Sequence, residues 1–285
     1  MHSLTRSRQK TLKPLFLLLA LLGFGCYPLL SLSQNVSDAL ARALDAYVNR
    51  TPLAEPLKSL SRSSAIEIQD LIVMNLAPDY GLVSGYLREP LRQEAALGVL
   101  LENMFTSTGA TLQAAAKADQ RVFLSWAVRI RKAGLSESSG PAEITGAIAE
   151  LIPAVVLQDV LINASDQDNW SAITALNAGV RYVVLGAPVA FSAHSAIPGL
   201  RAELLGRSGQ QLAVGDGVSS ETTDVALLIH NMVVALSTRG RSVREGELLV
   251  LGPVGQAVAL TQPGRVTANF RIGAEERRIV FPIRP

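Results

Sequence analysis

Apolar positions between residues 35 and 49 recur every three or four places: Val36, Leu40, Ala43, Leu44, Tyr47 and Val48, with Asp38, Arg42 and Asp45 between them. That period predicts an amphipathic helix. A loop carrying Pro52 and Pro56 follows, and residues 65–76 repeat the helical period up to Pro78, which is expected to stop it. From Val122 onward the pattern shortens. The segments 122–130, 182–185, 202–205, 211–214, 247–251, 265–270 and 278–281 are short, strand-like and bounded by Gly, Pro or Ser. Arg207-Ser208-Gly209-Gln210 reads as a hairpin turn, with the glycine supplying a positive φ. Residues 143–157 and 224–238 read as helices, the second stopped near Gly240. Strands with interspersed helices and no repeated βαβ unit predict an α+β class. The expected order is an N-terminal segment 1–33, a helical cap region 34–115 and a β-rich domain 116–285.

The N-terminal segment follows a different logic. Arg6, Arg8, Lys10 and Lys13 precede the apolar run from Leu15 to Gly25, and Ser31 and Ser33 form a small-residue exit. Together these predict an export signal with a mature start near Gln34, hence a periplasmic or secreted protein. The run is short and interrupted for a membrane span. An uncleaved anchor and a lipidated Cys26 are the alternatives, either of which would attach the protein to a membrane. Cys26 is the single cysteine, so no intramolecular disulfide can form. With 26 basic and 24 acidic residues among 285, the charge balance gives no nucleic-acid footprint.

Common catalytic signatures are missing. There is no Walker loop, and Gly215-Asp216-Gly217 lacks the third glycine of a dinucleotide fingerprint, so it reads as a strand-end turn. His194 and His230 have no partner at metal-ligand spacing. Ser63-Ser64 and Ser219-Ser220 lack the context of an exposed nucleophile. Arg129 and Arg131 read as a strand end entering solvent, with an anion site as the alternative. Glu245 and Glu247 read as an exposed turn surface.

Several segments, in order, carry a resemblance: Asp79-Tyr80-Gly81-Leu82-Val83-Ser84-Gly85-Tyr86, Gly98-Val99-Leu100-Leu101-Glu102-Asn103-Met104-Phe105, 122–130, 153–159, Asn177-Ala178, Tyr182-Val183-Val184-Leu185-Gly186, Glu245-Gly246-Glu247-Leu248-Leu249-Val250-Leu251-Gly252 and Pro263-Gly264-Arg265-Val266. The chain resembles the 2-keto-4-pentenoate hydratase group of the fumarylacetoacetate hydrolase superfamily. The resemblance implies a rolled mixed β-sheet or sandwich with a small N-terminal helical cap. It also implies a Mg²⁺ or Mn²⁺ ion held by three carboxylates, two of them in an E-x-E pair on one strand, where alternate residues share a face. Carried over, those carboxylates fall on Phe123, Ser125 and Val156. The family lysine falls on Leu87, its aspartate on Leu176, and its Thr-Gly-Ser on Leu251-Gly252-Pro253.

The expected pocket is therefore lined by Leu87, Phe123, Val156, Leu176, Asn177, Leu251 and Gly252, and no metal ligands are expected among them. Asp159, Tyr86 and Ser125 are the catalytic candidates: Asp159 as acid or base, Tyr86 or Ser125 orienting a substrate. Apolar residues at polar positions favour an apolar or weakly acidic ligand, or a filled cavity. The resulting expectation is an exported, metal-free, catalytically degenerate binding or interaction protein. The alternatives are an active hydratase, lyase or decarboxylase on a 2-oxo acid, using Mg²⁺ or Mn²⁺ only if the family site is retained in altered form, and a structural homo-oligomer subunit.

Overall fold

The computed structural model describes residues 34–284 except 58–59, 93, 164–165, 167, 192–199, 220–223 and 261–263. The expected export signal, anchor and Cys26 lies outside the described residues, as do His194, Ser220 and Pro263. The chain runs α1 (Gln34–Asn49), α2 (Arg62–Tyr80), β1 (Val83–Glu89), β2 (Ala96–Leu101), β3 (Phe105–Ser107), β4 (Leu112–Gln113), β5 (Gln120–Ile130), α3 (Pro141–Gly146), β6 (Ile148–Asp159), α4 (Trp170–Ala175), β7 (Val180–Leu185), β8 (Val189–Ala190), β9 (Leu200–Leu205), β10 (Gln211–Asp216), α5 (Val225–Ser237), β11 (Leu248–Ala259), β12 (Gly264–Ile272) and β13 (Glu275–Arg284). Among the described residues no helix is long and apolar enough to cross a membrane.

The strands form two mixed sheets, one of eight strands in the order β2-β1-β11-β5-β6-β7-β3 with β8 beside β6, and one of five in the order β10-β9-β12-β13-β4. The α+β reading holds. The sheets meet where Trp126 of β5 packs edge-on against Phe270 of β12, ring centroids 5.0 Å apart, and donates its indole N–H to the Gly217 carbonyl at 3.0 Å. At the centre, β5 and β6 are buried along nearly their whole length. Strands covered on both faces lose the apolar-polar alternation and become continuous apolar runs.

That property corrects the helix expected over 143–157. Only Pro141–Gly146 is helical, and Ile148–Asp159 is the strand β6. Period alone does not separate a buried strand from a buried helix in so apolar a run. Pro153, an unusual residue for a central strand, sits where the neighbouring strand is interrupted: β8 pairs as far as Leu151 and β7 begins at Ala154. Two further corrections concern the first hundred residues. Helix α2 passes through Pro78 to Tyr80, because Pro78 lies in its last turn and Gly81, at φ 82°, closes it with an N–H to Ala77. Strands also begin before Val122, since β1 and β2 lie inside the segment read as helical. Gly85 in β1 breaks the apolar pattern for a packing reason: a Cβ there would sit 2.2 Å from the Leu248 carbonyl oxygen of the parallel partner β11.

The expected helices α1 and α5 are present. Asp224 caps α5 through its side chain, which accepts from Leu227 N–H at 3.1 Å, and Gly240 follows the helix at φ 66°. The hairpin turn joins β9 to β10 with Gly209 at φ 80°, and Gly217 ends β10 at φ 84°.

Candidate functional site

The positions that should carry a metal centre are packed solid. Along β5, alternation puts Arg121, Phe123 and Ser125 on one face, and the register pairs Phe123 with Val156 and Ser125 with Ala154 of β6. Leu87, Phe123, Val156 and Leu251 are at most 1% exposed. Ser125 is fully buried, and its hydroxyl donates to the Gly252 carbonyl at 2.7 Å. A phenyl ring, an isopropyl group and a committed hydroxyl are not the oxygen donors a hard divalent cation requires. Nor do the described residues contain a group of three or more His, Cys, Asp or Glu that could hold a metal. The residues present do not fit the ion that the resemblance implies.

One step further along the same face, chemistry reappears. Arg121 follows in the alternation of β5 and is paired with Gln158 of β6. Its Nη2 donates to Gln158 Oε1 at 3.1 Å and to Glu89 Oε1 at 3.3 Å, and Gln158 Nε2 donates to Glu89 Oε2 at 2.7 Å. Burial pushes the Glu89 carboxyl above the ordinary glutamate range, outweighing the opposing pull of Arg121. The cavity beside this trio, walled also by Asp159, Leu176 and Gly179, measures only about 30 Å³, room for about one water molecule. None of the three was singled out from sequence, since their roles depend on which strands become neighbours.

Asp159 stands at the end of β6 as the hub of a different network. Arg50 binds it through Nε at 2.8 Å and Nη2 at 2.9 Å, Arg181 through Nε at 2.6 Å and Gln120 through Nε2 at 2.9 Å. Burial favours the protonated form, but the two guanidiniums outweigh it and hold Asp159 below the usual carboxylate range. Arg181 also lies 3.9 Å from the Tyr47 ring centroid and donates to the Tyr47 carbonyl, while the Tyr47 hydroxyl donates to Val180. The network thereby fastens the end of α1 to β6 and β7.

The structure does not gather the three catalytic candidates. Asp159 is in register with Gln120, which along β5 lies about 16 Å from Ser125 at 3.3 Å per residue. Tyr86 aligns through Leu249 with Val128, and alternation puts it on the face opposite Ser125. Burial raises the Tyr86 hydroxyl pKa, with Glu247 adding to the effect. Glu247 itself corrects an expectation: it is 4% exposed, accepting from the Arg244 guanidinium at 2.7 Å and from the Arg244 N–H at 2.8 Å. Glu245 is exposed as expected. Arg129 pairs with Glu150 at 3.0 Å, and Arg131 donates to the Ile148 carbonyl.

Asn177 opens a left-handed turn, Asn177-Ala178-Gly179, with φ of 49°, 53° and 63°. Asparagine and glycine tolerate that region, whereas Ala178 is held there against its preference. The Asn177 amide supplies the holding: Oδ1 accepts from Val99 N–H at 2.6 Å and from Gln69 Nε2 at 2.9 Å, and Nδ2 donates to the Val99 carbonyl at 2.9 Å. Gln69 then accepts from Arg239 at 3.1 Å. Asn177 is therefore fully buried and structural, and Gln69 links it to Arg239.

No family model matches the chain, and no curated protein matches it. Solved structures do. The 4-oxalocrotonate decarboxylase from Pseudomonas putida G7 complexed with calcium and acetate is similar with a TM-score of 0.74 and 14% identity, over 88% of this chain and 97% of that one. The same enzyme complexed with magnesium and adipate gives 0.74 and 14%, over 87% and 97%. A fumarylpyruvate hydrolase from Pseudomonas aeruginosa in complex with Mn²⁺ and pyruvate gives 0.52 and 11%, over 72% and 90%. At these identities the likeness is one of fold. Two curled mixed sheets with a short helical N-terminus, shared over most of both chains with the decarboxylase, give this chain the fumarylacetoacetate hydrolase-type fold.

Proposed function

We propose that this protein is a metal-free, non-catalytic relative of the 2-keto-4-pentenoate hydratase group, acting by binding a small, weakly acidic ligand. The observation that carries the reading is the packing of Phe123 and Val156 against each other at positions where the resemblance calls for metal-binding carboxylates. Fold likeness leaves the activity open, because function resides in the site. A chelated 2-oxo acid has no cation to meet there, and an unpaired charge would be costly among those side chains. A ligand that binds only the folded protein raises its melting temperature by mass action. Thermal melts with EDTA, with Mg²⁺ or Mn²⁺, and with either ion plus oxalate as an enolate mimic are expected to coincide. A rise that needs metal and oxalate together would overturn the proposal.

A second reading, a metal-independent lyase on a 2-oxo acid, is favoured by Glu89, a buried carboxyl with a raised pKa on the same face as Phe123. A carboxyl whose pKa is raised holds its proton more tightly and can serve as an acid. Turnover of a 2-oxo acid in EDTA, lost in Glu89→Gln while the fold persists, would establish it in place of the first. Export is part of the first proposal and rests on the basic and apolar N-terminal residues. Mass spectrometry of protein from whole cells is expected to show a chain starting near Gln34; an intact Met1 or an acylated Cys26 would replace export of a free protein with anchoring.

A further inference from the structure

A cleft of about 810 Å³ opens between the start of α2, the β1–β2 connection, α4 and the second half of α5. Arg88 reaches it from the face of β1 opposite Leu87, so the cleft is separate from the packed positions around Phe123. Part of its wall is apolar, from Ile66, Leu91, Leu97 and Met232. The rest is cationic: Arg62, Arg88, Arg92 and Arg239 face a single carboxylate, Glu94, among the described lining residues. Glu94 pairs with Arg62, and Arg92 pairs with Asp168 at 2.8 Å.

Arg239 differs. Its hydrogen bond goes to the neutral Oε1 of Gln69 at 3.1 Å, and the carboxylate that acts on its charge, Asp70, is paired with Arg241. Gln69 is itself fixed, donating to the Leu97 carbonyl at 2.6 Å and to Asn177 at 2.9 Å. Trp170 is fixed likewise, its indole N–H donating to the Ala95 carbonyl at 3.2 Å. The guanidinium carbons of Arg62 and Arg239 lie 4.6 Å and 5.4 Å from the centroid of that one indole ring. Two guanidiniums thus sit against one indole ring, and an anion taken up at Arg239 would offset the charges of Arg241 and Arg62 that act on it. The Arg239 pKa agrees: burial, followed by the charge of Arg241 and, against the opposing pull of Asp70, that of Arg62, pushes it down to about 10.

We propose that this cleft binds a small organic anion, a carboxylate on a planar apolar body, with Arg239 taking the carboxylate, Arg62, which pairs with Glu94, adding its charge, and the apolar wall beside Trp170 taking the body. The guanidinium fork matches a carboxylate in two parallel hydrogen bonds. A bare inorganic anion would leave the apolar wall unused, and a neutral aromatic would leave the arginines unanswered. The inference rests on the ligand-binding reading above and gives it a place and a ligand class.

Titration calorimetry of the full chain in EDTA, with benzoate, benzyl alcohol and inorganic phosphate, tests it. Benzoate is expected to bind, phosphate at least tenfold more weakly, and benzyl alcohol without detectable heat. Arg239→Gln is expected to weaken benzoate at least tenfold and Arg62→Gln several-fold, while Arg271→Gln, on the five-stranded sheet, leaves it unchanged. Arg62 is 64% exposed in its side chain, so its variant carries the test if Arg239→Gln fails to fold. No benzoate binding, equal binding of phosphate or benzyl alcohol, or wild-type affinity in the folded variants would overturn the site. Silent benzoate with flat metal and oxalate melts would remove the site and leave the metal-free reading. Benzoate binding beside a metal-dependent oxalate shift would do the reverse.

Discussion

Asp159 accepts hydrogen bonds from Arg50, Arg181 and Gln120, so its charge acts on stability. Its folded pKa lies below the ordinary value of about 4. Its contribution is therefore complete above the unfolded pKa and is lost as pH falls through the folded one. Asp159→Asn leaves two guanidiniums facing an amide, and urea unfolding at pH 7 is expected to show a loss of about 3–5 kcal/mol that narrows below pH 4. Glu89 has the opposite sign. Its folded pKa is raised by burial, so the folded state holds the proton more tightly and stability falls as pH rises from the unfolded pKa through the folded one. A carboxyl-carbon NMR titration is expected to place the Glu89 midpoint above that of exposed glutamates; a midpoint at or below theirs would contradict the burial argument. Asn177→Leu strips partners from Gln69 and both backbone groups of Val99, an expected cost of about 3 kcal/mol in the same urea assay.

Elements with one wet face, α1 and the β9–β10 hairpin, announced themselves through period and turn residues, as did the capped helix α5. Elements buried on both faces did not. In β6 the apolar run erased the strand period, and Pro153, an unusual residue for a central strand, has its place at the gap between β7 and β8. In β1 the glycine that broke the pattern is the residue that lets β11 approach. Gly85→Ala would press a methyl group to 2.2 Å from the Leu248 carbonyl, so β1 and β11 must part. Loss of that pairing, which joins β1 and β2 to the rest of the sheet, is expected to leave little folded protein, readable as a lost or strongly lowered cooperative melt; a melt within a few degrees of wild type would mean that the strands adjust.

On the scale of the whole molecule, the positions onto which the resemblance carries metal ligands, Phe123, Ser125 and Val156, lie in the core. Phe123→Glu would place an unpaired carboxylate where exposure is 1%, and the expected result is a loss of several kcal/mol with no gain in Mg²⁺ binding by calorimetry. The homo-oligomer expected from the resemblance is proposed on that resemblance alone, and sedimentation equilibrium decides it: a dimer or larger supports it and a monomer removes it. By itself, the sequence determined the α+β class and the apolar residues at Phe123, Val156 and Leu87, because period and residue identity are local properties. It could not show that Glu89 meets Arg121 and Gln158, that Asp159 is held by Arg50 and Arg181, or that Arg62 and Arg239 share the ring of Trp170. Those meetings join residues from distant parts of the chain, and only strand register and helix docking, set by burial of the whole core, decide which of them come within a few ångströms.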